Sequence, residues 1–286
     1  PHIEMDTDSL SASYNPRPGK FIVPSRLPDL LRRQRLLDFV HENIHRKLIL
    51  IAAAAGYGKS SLLIDFAHDA DYPVAWYQLD DADSDLAALA VGLVFALQRL
   101  YPNFESVLPA LTARPGANPD DLANAFNREI ETTIDEYCVI VLDDFHLIEH
   151  SSQIIRFFDA LLAGLPEQAH FIISGRTLPP IRVVSLAARQ QVAGLNEERL
   201  RFTVDEVKAL VEARSKAPLA DADAESLVSN TEGWITGILL SAQLMSQGSM
   251  SGMLPTRSGD SPVYDFLADE VLDRQPELLK RFLVES

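Results

Sequence analysis

The stretch LILIAAAAGYGKSSLL, residues 48–63, decides the fold. It passes from an apolar, β-branched run through a turn holding Gly56 and Gly58 into Lys59, Ser60 and the start of a helical pattern. Strand, glycine turn and helix N-terminus in that order build an anion cradle. The glycines let successive backbone N–H groups face one point, and the helix adds the positive end of its dipole. The spacing is that of G-x-x-x-x-G-K-[S/T], except that Ala53 stands at the first glycine. That position falls at the strand's end, where a small residue serves, so the pattern is weakened more than the physics. In such a loop Lys59 reaches the β- and γ-phosphates of a nucleotide and the Ser60 hydroxyl holds Mg²⁺. The candidate loop residues are Ala55, Gly56, Tyr57, Gly58, Lys59, Ser60 and Ser61.

A phosphate loop that works on a nucleotide needs an acid at the end of a neighbouring strand. VIVLDDF, residues 139–145, supplies Asp143 and Asp144 after four apolar residues. By itself a pair of acids after a strand is a plain turn; beside the loop it reads as Asp143 in the Mg²⁺ shell and Asp144 polarising the attacking water. FIISGR, residues 171–176, ends a further strand in Arg176. A cation there stands where charge develops on a γ-phosphate, although a surface arginine after a strand is also common. His146 follows the acids and is read as structural before functional.

Outward from these motifs, KLILIAA (47–53), PVAWYQL (73–79), CVIVLDD (138–144) and HFIISGR (170–176) read as strands, with a shorter one near 190–195. None alternates cleanly, which suits strands buried on both faces of a parallel sheet. Helical patterns lie between them, at 84–101, 120–137 and 153–166. In the second, Leu122, Phe126, Ile130 and Ile134 form one apolar row. Strands alternating with helices predict an α/β fold with a parallel, doubly wound sheet over 21–202. Residues 1–20 read as a tail. Thr203 and Glu206 stand at capping-box spacing and open a small helical domain over 203–248. Residues 249–262 are a linker by composition, and 263–286 begin another helical unit.

The chain has 286 residues and a formal net charge of −16. An acidic surface of that size repels a phosphodiester backbone, so these residues are not expected to bind nucleic acid themselves. The basic clusters at 32–35 and 46–47 read as solvated helix faces. The same acidic balance argues against a nucleic-acid motor with its basic groove and a small-molecule kinase with its basic lid. The one cysteine, Cys138, excludes an intramolecular disulfide and reads as a buried thiol. No apolar run is long enough to span a membrane, and no secretory signal opens the sequence; a cytoplasmic setting is expected.

With these elements in order the chain resembles the STAND class of signal-transduction P-loop NTPases. Within it, the resemblance is to the MalT-like ATPase domain of large LuxR-type bacterial transcription regulators. The similarity rests on AGYGKSSLL (55–63), VAWYQLDDADSD (74–85), VLDDFHLI (141–148), ISGRTLPP (173–180), LRFTVDEV (200–207), TEGWITGILL (231–240) and YDFLADEVLDRQPELLKRFL (264–283). Gly175 separates a Ser and an Arg usually adjacent in that segment, and this insertion puts the aim of Arg176 in question. The resemblance implies ATP or ADP and Mg²⁺ as ligands, Arg33 near the adenine, and Gly233-Trp234 in a helical-domain motif that closes over nucleotide. It implies a winged-helix-like domain beginning at 263, followed in the full-length family by a helical-repeat sensor and a DNA-binding helix-turn-helix, neither of which lies in these residues. The expected role is a slowly hydrolysing switch whose ATP form self-associates, released by an inducer bound elsewhere. The rivals are a phosphotransferase or motor NTPase and a nucleotide-binding scaffold without turnover.

Overall fold

The computed structural model describes residues 17–26, 31–114, 116–215 and 218–246. They fall into two compact units, one of residues 17–26 and 32–200, the other of Leu31 and 201–246. In the first unit the strands are β1 (Leu48–Ala52), β2 (Val74–Gln78), β3 (Cys138–Asp143), β4 (Ala169–Gly175) and β5 (Val192–Asn196). They form one sheet in the order β2-β3-β4-β1-β5, with every pairing parallel. β1, β3 and β4 are buried along nearly their whole length, which explains their continuous apolar runs: both faces are covered by helices.

Around the sheet run α1 (Gln34–Asn43), α2 (Lys59–Asp69), α3 (Leu86–Gln98), α4 (Leu108–Thr112), α5 (Pro119–Thr133), α6 (Ser152–Gly164), α7 (Val184–Ala188) and α8 (Glu197–Leu200). α5 is shorter than its pattern predicts. It stops at Thr133, because the chain must turn back into β3, and Ile134 adopts extended geometry. Its side chain remains in the core, and its carbonyl accepts from Gln168 Nε2 at 3.1 Å. α3 is apolar almost all round and buried on most of its surface, as expected, with Asp85 capping it through the N–H groups of Ala87 and Ala88. The Cys138 thiol is buried, and burial pushes its pKa up to about 11, which keeps it protonated and inert.

The tail ends earlier than the sequence suggests. Pro18–Phe21 form a 3₁₀ turn in which Lys20, 9% exposed, pairs with the fully buried Asp83. Asp83 also accepts from the Tyr77 hydroxyl at 2.7 Å and the Asp80 N–H at 2.8 Å. This network fixes the loop after β2. It also fixes Tyr77 against α3, where a Cβ on Gly92 would stand 2.0 Å from the Tyr77 oxygen. Gly92→Ala is therefore expected to cost about 2–3 kcal/mol by overpacking, lowering the melting temperature by roughly 4–12 °C in a calorimetric scan.

The second unit contains α9 (Val204–Ser215), α10 (Asp221–Thr231) and α11 (Ile235–Ser246), packed on Phe202, Val207, Leu210, Leu227 and Ile238. The capping box forms: Glu206 N–H donates to Thr203 Oγ1 at 3.3 Å, and Thr203 N–H to Glu206 Oε2 at 3.1 Å. Gly233, with φ +71°, turns the chain between α10 and α11, and a Cβ there would lie 2.9 Å from the Phe202 backbone. The linker over 249–262 and the winged-helix-like segment over 263–286 lie outside the described residues. Among the described residues, no helix is long and apolar enough to cross a membrane.

Candidate functional site

The carboxyl ends of β1, β4 and β3 are adjacent in the sheet, with Ala52 level with Gly175 and Leu142 level with Ile173. Three of the sequence motifs end there: the glycine loop, the Ser-Gly-Arg segment and the paired aspartates. In the loop, Gly56 (φ +76°) and Gly58 (φ +78°) both occupy the left-handed region, and Gly58 is the N-cap of α2. Ala53 does not have positive φ; it is buried, and its N–H donates to the Gly175 carbonyl at 3.3 Å. The backbone at the missing glycine is thus one that any small L-residue adopts.

Lys59 is 7% exposed and turns back on the loop, donating from Nζ to the carbonyls of Ala53 (2.8 Å) and Ala54 (2.9 Å). Burial holds its pKa below the usual lysine value, against the opposing pull of Asp143, Asp144 and Glu197; the Arg176 charge also pushes it down. Arg176 therefore lies within electrostatic reach of the lysine despite the extra Gly175. That glycine belongs to β4, and its Cα faces the chain at His146, where a Cβ would lie 3.5 Å from the His146 nitrogen.

Asp143 closes β3 and is fully buried. Its Oδ1 accepts from the Ser174 hydroxyl and from the Asp144 N–H at 3.1 Å, and the Ser60 side chain is near enough to help lower the carboxyl's pKa. Burial, then the Asp144 charge, raise its pKa, while the serine and backbone donors work against them. Oδ2 is buried without a hydrogen-bond partner. A buried carboxylate oxygen left unmatched beside a serine hydroxyl is a hard, anionic donor set. It fits Mg²⁺, which takes one or two protein oxygens and completes its shell with water and phosphate.

Asp144 is held differently. It adopts left-handed geometry (φ 62°, ψ 37°), which aspartate tolerates better than most residues. Gln78 Nε2 donates to its Oδ2 at 2.6 Å, and His146 Nδ1 lies 3.8 Å from its Oδ1. The reversal after β3 thus separates the two acids, one sealed in the sheet and one half-open beside the loop.

Arg33 is placed apart from the phosphate loop's glycines, at the N-cap of α1. It is 7% exposed and donates from Nη1 to the Leu200 carbonyl at 2.8 Å. It is not the solvated charge that its basic cluster suggests; Arg32 and Arg35 of that cluster do bond on the surface, to Asp69 and the Arg199 carbonyl. Sequence reasoning missed Gln78 and Glu197. Glu197 follows β5, on the other side of β1, and its Oε1 accepts from the Tyr57 hydroxyl at 3.1 Å. Neither residue forms a local motif, so only strand order brings it to the loop. A groove of ≈ 900 Å³ beside α6 includes none of these residues; of its acids, Asp120 and Asp159 are paired with Arg156 and Arg182, and Glu149 accepts from the Thr177 hydroxyl.

No family model matches the chain. It is 31% identical over 274 residues to the HTH-type transcriptional regulator MalT of Yersinia pestis, covering 93% of this chain and 30% of that protein. It is 30% identical over 276 residues to MalT of Yersinia enterocolitica, with the same shares. The chain therefore spans about a third of the length of these relatives. Among solved structures, it is similar to a STAND protein with a tetratricopeptide-repeat sensor from Pyrococcus horikoshii. The TM-score is 0.59 at 21% identity, over 88% of this chain and 34% of that one. It is also similar to a Walker-type ATPase of Pyrococcus abyssi, with TM-score 0.50 at 13% identity over 78% and 70% of the two chains. The chain has the fold of the P-loop NTPases and, over nearly all its length, resembles the MalT-type regulators of the STAND class.

Proposed function

We propose that this chain is the ATP-binding, slowly hydrolysing switch module of a bacterial transcription regulator. The observation that carries the reading is the convergence of Lys59, Ser60, Asp143, Asp144 and Arg176 on the ends of three adjacent strands. In this reading the loop 55–61 cradles the phosphates. Ser60 and Asp143 hold Mg²⁺, which neutralises phosphate charge. Asp144 accepts the proton of an attacking water, and Arg176 faces the γ-phosphate. Only ATP offers a γ-phosphate to Arg176 and Asp144, so ATP and ADP favour different states by differential contact. The similarity to MalT supports transcriptional control as the output, with self-association in the ATP state and an inducer bound outside these residues.

The test is calorimetric titration of nucleotide-extracted protein with ATP and ADP, with and without Mg²⁺, followed by a turnover assay. Both nucleotides are expected to bind, ATP with Mg²⁺ dependence, and turnover is expected below about one per second, slower than most committed enzymes. Binding of neither nucleotide would overturn the assignment. Turnover well above that rate without inducer would replace the switch with an enzyme acting for its product.

A further inference from the structure

The last turn of the first unit, α8, is tied at both ends to parts of the candidate site. At its start Glu197 accepts from the Tyr57 hydroxyl at 3.1 Å, and its Oε2 lies 3.5 Å from the Ala54 nitrogen; both partners are in the phosphate loop. At its end the Leu200 carbonyl accepts from Arg33 at 2.8 Å and the Arg199 carbonyl from Arg35 at 2.7 Å. The Arg199 guanidinium also lies over the Phe39 ring of α1, 5.1 Å from its centroid. Arg201, the next residue, opens the second unit.

We propose that the Glu197–Leu200 turn reports occupancy of the phosphate loop to the helical unit, with Glu197 as the coupling residue. The inference rests on the nucleotide-binding reading and names how that site would be read out. A polyphosphate brings several negative charges to a loop that already has a carboxylate against it, and like charges at short range repel. The phosphates also compete with Glu197 for loop hydrogen-bond donors. Nucleotide entry therefore weakens the Glu197–Tyr57 link while the Arg33 and Arg35 bonds hold the far end of the turn. The turn is then constrained at Arg199 and Leu200 alone, and this loss of constraint passes along the chain into the segment that enters α9. Glu197 touches neither water nor phosphate in this scheme; it acts through Tyr57.

Hydrogen–deuterium exchange of the whole chain, at saturating Mg·ATP or Mg·ADP and without nucleotide, tests it. In the wild type, nucleotide is expected to change exchange over residues 197–215 by about threefold or more, the range of a modest local opening. Glu197→Gln keeps an oxygen that accepts from Tyr57 but removes the charge, and is expected to lose most of that change while still binding nucleotide. Tyr57→Phe cuts the link from the loop side and is expected to lose it likewise when saturated. A purely structural role predicts the opposite for Glu197→Gln, because its hydrogen bond survives. Either variant responding as the wild type does, or a wild type that binds nucleotide with no change over 197–215, overturns the coupling alone. A wild type that binds no nucleotide overturns the function on which it rests.

Discussion

Lys59→Ala is expected to weaken ATP binding by about 10²–10⁴-fold, as two charge-assisted hydrogen bonds at about 1.5–3 kcal/mol each imply. The ammonium is nearly buried, and its side chain lies folded onto the Ala53 and Ala54 carbonyls. Moving from those neutral acceptors to an anionic phosphate is favourable because the site is already desolvated: burial lowers the lysine pKa, and a phosphate charge opposes that shift by stabilising the ammonium. Alanine leaves the two carbonyls without that donor but also removes a costly buried cation. The effects on stability oppose each other, and the melting temperature should shift much less than the affinity. Lys59→Arg should restore little, because a planar guanidinium does not fit a cavity shaped for a point charge. Calorimetric titration measures both, and ATP affinity within about threefold of wild type for Lys59→Ala, under half of one such bond, would remove the lysine from the site.

The second large effect separates binding from chemistry. Asp144→Asn is expected to reduce turnover by about 10²–10³-fold, the range for loss of a positioned general base, with ATP affinity changed only a few-fold. Asparagine suits the test because it accepts left-handed backbone geometry, whereas alanine would add strain at φ 62°. Its side-chain oxygen can still accept from Gln78, which now bonds the aspartate at 2.6 Å. The substitution therefore keeps shape and partner and removes the base. Single-turnover measurement under saturating ATP is the readout. Unchanged turnover would mean that the attacking water is oriented elsewhere, with Gln78 and His146 the nearest remaining polar groups to examine.

The sheet was legible because its strands carry their own signature. Continuous apolar runs at 48–52, 138–142 and 171–173 leave no solvent face, and the strands that hold them are buried to match. The residues of the phosphate loop were legible for a similar reason: Gly56 and Gly58 must accept positive φ within a few residues of Lys59. Helix ends were less so. α5 stops at Thr133 although its apolar row continues to Ile134, since burial at that position is satisfied equally well by an extended residue. The partners of the acids were not legible at all. Gln78 reaches Asp144 because β2 lies beside β3, and Glu197 reaches Tyr57 because β5 lies beside β1. Both facts belong to strand order, which no local pattern encodes. Arg33 was misread as part of a solvated cluster because an arginine's burial depends on a carbonyl far along the chain, that of Leu200.

The strand order has one more consequence, for how the chain comes to be folded. β1 is the first strand of its sheet to be made, yet its two neighbours are β4 and β5, the last two of the five. Until residues 169–196 have emerged, LILIA has both of its hydrogen-bonding edges open and no sheet to join. Long-range parallel pairing of this kind is slow to close, and an uncovered apolar strand invites pairing with another chain. The nascent polypeptide is thus most vulnerable to aggregation in the interval between the two halves of its sheet. The phosphate loop is made before four of the sheet's five strands, yet it is among the last parts of that sheet to acquire its shape.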